Sequence, residues 1–223
     1  MPTNRITIRS GAGMAVLAAL LLTGCSSVHG QAINQPVIVN GNSQFTKDGV
    51  EAMKSSRSVS FDFTSLPLNL EDLGLDKHSD GTLVATDTDK PMKVSMTTPN
   101  GVVEMETDTI RIRPGGTEGN LDHIELFVNY PDAQDANPEI ERAATELGIV
   151  RLKEAPPIGP EFTDGSGKET WNPGYGNATG TVFAATIMSN HTTGRLTFIY
   201  TVCLDGMYYT PEATSSIAAT GKP

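Results

Sequence analysis

Cysteine, basic charge and long apolar stretches are all scarce in this chain. Among its 223 residues only Cys25 and Cys203 are cysteines. Two cannot build a cysteine-rich zinc site, and His29, His78, His123 and His191 lie so far apart in sequence that only the fold could gather them into one. Basic side chains number 16 against 26 acidic, a formal charge of −10. A surface of that sign repels phosphate backbones, which argues against nucleic acid as a partner. No apolar run reaches the ~20 residues that a membrane-spanning helix needs. Reactive motifs are missing too. Around Gly167-Lys168 a phosphate-binding loop needs glycine at 162 and serine or threonine at 169, where the chain has Phe162 and Glu169. Gly165-Ser166-Gly167 lacks the spacing of a nucleophile elbow, and neither S-x-x-K nor H-E-x-x-H occurs. These absences point to a protein that is not an enzyme and carries no cofactor or metal. No internal repeat is present.

What the chain does have begins at its amino terminus. A basic start (Arg5, Arg9) leads into an apolar run from Gly11 to Leu22, and small residues then lead to cysteine in Leu22-Thr23-Gly24-Cys25. The run has the length and positive flank of a secretory signal. With the cysteine it resembles the signal peptide and lipobox of a bacterial lipoprotein precursor. That resemblance implies cleavage between Gly24 and Cys25 and a diacylglycerol thioether on the Cys25 sulfur. Each buried CH₂ contributes ~0.8 kcal/mol, and one acyl chain holds only marginally, so two make a stable anchor. The mature chain would then be extracytoplasmic and lipid-anchored to the cell membrane. The other reading is an ordinary cleaved signal peptide with an incidental cysteine. Cleavage removes Arg5 and Arg9, leaving 14 basic against 26 acidic side chains and a formal charge of −12. With Cys25 acylated, Cys203 has no partner, so the fold must rest on its core in an oxidising compartment. The expected organisation is a signal peptide over 1–24, an acylated cysteine and flexible tether over 25–44, one domain over 45–209 and a loose tail over 210–223.

Hydrophobic periodicity outlines the domain. Thr46 can cap a helix to about Ser56, with Val50 and Met53 on one face. Ser58–Phe63 alternates as a strand, with Val59, Phe61 and Phe63 on one side. Residues 64–81 read as irregular. Further strands are expected over 82–86, 92–96, 102–106, 109–113 and 122–130, with a hairpin turn at Pro99-Asn100-Gly101. Asn137-Pro138-Glu139 predicts a helix start, with Asn137 as its cap and Pro138 at the first helical position, and Ile140, Ala143, Ala144 and Leu147 its apolar stripe. A short strand is expected over 149–152, then a long loop over 154–180. Two strong strands, 181–188 and 196–204, close the domain. The pattern is α+β: a curved, half-barrel-like antiparallel sheet backed by a few helices.

Residues 52–113 carry a second resemblance. The order of lipobox, tether, the helix-to-strand text Ala52-Met-Lys-Ser-Ser-Arg-Ser-Val-Ser-Phe61, the segment Ser79–Pro91 and the Met92–Glu106 hairpin is similar to the mycobacterial lipid-carrier lipoproteins of the LppX and LprG type. That similarity implies a half-barrel enclosing an apolar cavity for acylated lipids. The last strands fit it, being apolar on both sides: Leu196, Phe198, Tyr200, Val202 and Leu204 share a face, and Val182, Ala184 and Met188 back Phe183, Ala185 and Ile187. Such strands need cover on both faces, from a helix or around a cavity.

The expected function is therefore binding or carriage of an apolar ligand such as a lipid, with Phe183, Ile187, Phe198 and Tyr200 as candidate lining and Trp171 and Tyr175 beside it. The alternative is an envelope protein-interaction module that uses the Trp171–Tyr175 loop, although these two aromatics could equally peg the loop to the core. Asp76-x-His78-x-Asp80-Gly81, followed by Asp87, echoes a calcium loop, but a histidine at the third ligand position and a following strand favour a solvated acidic turn. His123 and Glu125 fall on one strand face, either as an acid–base pair or as the polar side of a sheet.

Overall fold

Alternation in the sequence becomes two sheets with a shared core. The structure is a computed structural model describing residues 35–223 except 117–118, 155–166 and 191. Cys25, the signal segment, His29, Phe162, His191 and the Gly165-Ser166 pair lie outside the described residues. In chain order the elements are β1 (Ile38–Val39), β2 (Asn42–Ser43), α1 (Lys47–Ser56), β3 (Ser58–Asp62), β4 (Thr82–Ala85), β5 (Met92–Thr98), β6 (Gly101–Thr107) and β7 (Thr109–Pro114). Then come β8 (Leu121–Tyr130), α2 (Asn137–Glu146), β9 (Lys168–Gly176), β10 (Val182–Asn190), β11 (Arg195–Cys203) and α3 (Pro211–Thr220).

The larger sheet runs β4-β7-β8-β11-β10-β9 and is antiparallel throughout. The smaller runs β3-β5-β6, with β3 parallel to β5 and β6 antiparallel to it. Neither closes, and the result is an α+β fold with an open, curved, mainly antiparallel sheet. A single residue, Asp108, joins β6 of the small sheet to β7 of the large one. That residue is 4% exposed, its N–H donates to the Phe127 carbonyl at 2.8 Å, and its carboxylate accepts from the backbone and side-chain nitrogens of Asn129 at 2.7 and 3.0 Å. Burial pushes its carboxyl up from the ordinary value, and the two bonds from Asn129 pull against that. One core joins both sheets to α1 and α2. Val59, Phe61, Phe63, Met92 and Met96 of the small sheet, Ile140, Ala143 and Ala144 of α2, and Phe198 of the large sheet all belong to this one buried cluster.

Several expectations change. Residues 38–43, expected as tether, instead form the β1–β2 hairpin docked on the domain, where Asn42 and Ser43 are 3% and 0% exposed. Residues 149–152 are not a strand: after Gly148 (φ +72°) the chain enters a 3-10 turn, Val150–Glu154. Asn137 is the first residue of α2 rather than its cap, since Asp132 caps a 3-10 turn, Ala133–Ala136, that runs into the helix. The Trp171–Tyr175 stretch is no loop. It is most of β9, an edge strand whose Pro173 and Gly174 (φ +102°) sit where the pairing register with β10 shifts.

The tail is ordered as well. Thr210 caps α3 by accepting from Ala213 N at 3.1 Å, Pro211 opens the helix and Gly221 ends it at φ +69°. Ile217 is fully buried against Val182 and Cys203, with Tyr175, Tyr208 and Tyr209 around them. A helix therefore covers part of the second face of β10 and β11.

Candidate functional site

The structure gathers Phe183, Ile187, Phe198 and Tyr200, as the sequence predicts, but it gathers them as packing. Their exposures are 0%, 2%, 0% and 0%, and the Phe198 and Tyr200 rings lie 4.5 Å apart. Phe198 pairs in register with Ile187 on one side and Val128 on the other. Trp171, opposite Ile187, packs against the same cluster. Tyr175 belongs to the other face, 5.5 Å from Tyr208, and its N–H donates to the Gly221 carbonyl at 2.9 Å. These six residues do not form one site. The place where a cavity was expected is occupied by side chains of the sheet and of α2.

A polar line on α2 runs into that core. Glu139 accepts from the Tyr200 hydroxyl and pairs with Arg142, and their side chains are 10% and 17% exposed. Burial drives the Tyr200 phenol well above its ordinary value, helped by the Glu139 charge. Burial also raises the Glu146 carboxyl, which Arg142 draws down and Glu139 pushes up. One Glu146 carboxylate oxygen, Oε2, is buried and has no hydrogen-bond partner among the described residues. Sequence reading missed this line. Its signal was the 139, 142, 146 spacing beside the apolar stripe, although Tyr200, 61 positions from Glu139, could come only from the fold.

Glu146 borders a groove of about 350 Å³ lined by Thr98, Gly101, Val102, Val103, Thr145, Ala178 and Thr179 with Asn100. The groove lies where β6, the last strand of the small sheet, faces the end of α2 and the β9–β10 turn. The two turns are pinned together. Asn100 donates from its backbone to the Thr179 carbonyl and from its side chain to the Ala178 carbonyl, both at 3.0 Å. Gly180 (φ +82°) permits this approach, because a Cβ there would meet the Pro99 Cβ at 2.8 Å.

A larger opening, about 460 Å³, lies at the end of β8 among Asn129, Tyr130, Met188, Asn190, Arg195 and Thr197. Its lining is richer in amides, hydroxyls and charge. The Asn129 amide there is already used, since it donates to Asp108 at 3.0 Å and accepts from Thr197 at 2.7 Å.

On the outer face of the large sheet, His123 and Glu125 join Arg111 and Arg113. Glu125 accepts from Arg111 Nε, has Arg113 Nε at 3.6 Å and His123 Nε2 at 3.5 Å, and its side chain is 13% exposed. Arg111 also lies 5.0 Å over the Phe127 ring. Burial alone would raise the Glu125 carboxyl, but hydrogen bonds from His123 and Arg111 and their charges outweigh it and pull it to about 2. A carboxylate held that low is a poor general base. Burial pushes the His123 imidazole down, but Glu125 and Asp122 push it up further, and the net shift is upward. The arrangement is an ion-pair ladder on a sheet face. Because the folded value of Glu125 lies below its ordinary 4.5, its stabilisation is present above pH 4.5 and is lost as pH falls toward 2. After discounting for solvent screening, Glu125→Gln should cost about 1–2 kcal/mol at pH 6 and little at pH 2.5, read from urea unfolding at each pH.

The acidic loop at Asp76-His78-Asp80 is exposed and turns on itself, with Asp76 Oδ1 accepting from His78 N at 2.8 Å. Among the described residues no three histidine, cysteine or acidic side chains converge as metal ligands. Among the described residues no helix is long and apolar enough to cross a membrane. No family model, no curated protein and no solved structure matches this chain.

Proposed function

We propose that this chain is an extracytoplasmic lipoprotein, held at the cell membrane through acylated Cys25, whose folded domain binds an apolar ligand such as a lipid chain. The groove between β6, the end of α2 and the β9–β10 turn supports the ligand reading. Val102, Val103 and Ala178 give it an apolar lining, and its volume of about 350 Å³ lies at the lower end of the ~300–1,000 Å³ usual for small-ligand pockets. The ligand site thus moves from the sheet interior to the seam where the two sheets part. Glu146, Asn100 and the threonines add polar groups to the lining, so the ligand would be an amphiphile with a polar head.

Val102 is half-buried on β6, and strands tolerate aromatic residues there, so Val102→Trp should fill the groove and leave the fold intact. Against a fluorescent fatty alcohol the variant should bind at least about tenfold more weakly, a difference of ~1.4 kcal/mol, with its melting temperature little changed. Unchanged affinity, or a native-source protein that carries no lipid and binds no acyl probe, would defeat the reading.

A further inference from the structure

Three consecutive apolar side chains stand out in water on the amino-terminal hairpin. Val37, Ile38 and Val39 are 38%, 47% and 48% exposed, whereas the other exposed large apolar side chains among the described residues occur singly. Single ones need no explanation, but a contiguous patch does. The tripeptide is held rigidly. Asn40 and Gly41, at φ +49° and +82°, make the tight turn that joins β1 to β2. Gln44 N donates to the Val37 carbonyl at 2.9 Å, closing the hairpin. Its second strand is bonded to the domain: the Ser43 hydroxyl and the Asn42 side-chain oxygen accept from Ser60 N and Asp62 N, each at 2.9 Å. The strands alternate, yet both Ile38 and Val39 are exposed, since among the described residues nothing is layered on either face.

Position and charge say what covers the patch. Eleven residues (26–36) separate Cys25 from Val37, a span of at most ~40 Å fully extended. In a mature chain with 26 acidic residues, none lies between 26 and 46, nor does any basic one. The nearest acidic side chain to the turn is Asp62, which occupies the space beside Gly41 and accepts from Thr64. The segment closest to the anchor thus carries no acidic or basic side chain of its own, and it presents β-branched apolar side chains suited to the headgroup boundary.

We propose that Val37, Ile38 and Val39 form a docking tip that enters the lipid surface holding Cys25 and so fixes which way the domain faces the membrane. This rests on the anchor reading above. The test uses the acylated mature chain in phospholipid vesicles, with Ile38→Cys, Met188→Cys or Met207→Cys each carrying an environment-sensitive thiol dye. Cys203 is buried, with burial the main cause of a thiol pushed up to about 12, so it stays unlabelled. Flotation with the vesicles reports the anchor, and quenching reports the tip. The proposal expects the dye at 38 to be quenched by nitroxide-bearing lipids and lost to aqueous iodide, with the reverse at 188 and 207. A floating protein whose position 38 is open to iodide overturns the tip alone. So does one shielded from both quenchers, which would place a protein surface over the patch. Failure to float overturns the anchor and the tip with it.

Discussion

Replacement of Cys25 by serine should move the protein almost completely from the membrane fraction to the soluble one. The expectation follows from the size of the term removed. At ~0.8 kcal/mol for each buried CH₂, one myristoyl chain alone gives only ~10⁴ M⁻¹ for a bilayer, and a second converts marginal partitioning to lasting residence. Among the described residues no helix is long and apolar enough to replace that. Its mature charge of −12 opposes approach to anionic lipid, and a tip of three aliphatic side chains is far smaller than two acyl chains. The measurement is fractionation of cells making Cys25→Ser beside the native chain, with labelled palmitate followed in both. Label in the native protein alone, and release of the variant, is the expected result. A variant that stays with the membrane, or a native chain that takes no label, would leave only an exported domain.

Where one strand or helix carries its own periodicity, the sequence is a sufficient guide. Thr46 caps α1 through Gly49 N at 3.2 Å, and β3, β5 and β8 alternate as their residues demand. Where the periodicity is thin or broken, tertiary context decides. α3 has its start and stop signals in Thr210-Pro211 and Gly221, but its apolar pattern rests largely on Ile217, so it reads as a tail until β10 and β11 are placed beside it. Pro173 and Gly174 conceal β9 because breakers are tolerated at an edge. The groove was illegible for a different reason. It is made by three chain segments, around 100, 145 and 178, and none of them signals a site alone. Residues 37–39 read as tether because two-residue strands are too short to show alternation.

Phe198→Ala should be among the most damaging single changes to the folded domain, and its size separates two views of the interior. If the space between the sheets and α2 is a solid core, the substitution removes a fully buried ring from contact with Tyr200 and leaves a void. Such losses cost about 3–5 kcal/mol. At ~2–4 °C for each kcal/mol in a chain of this size, the melting temperature should fall by about 6–20 °C. Phe198→Leu, which keeps much of the volume, should lose clearly less. Binding of a fatty alcohol at the Val102 groove should persist in Phe198→Ala at temperatures where it remains folded, because Phe198 is not part of that lining. If the interior were instead a ligand chamber, the ring would border space rather than neighbours. Truncation would then cost under ~1 kcal/mol while altering ligand affinity, a pattern that close packing cannot produce. Paired urea titrations and probe binding on Phe198→Ala and Val102→Trp therefore decide whether an apolar ligand lies inside the sheets or along their seam.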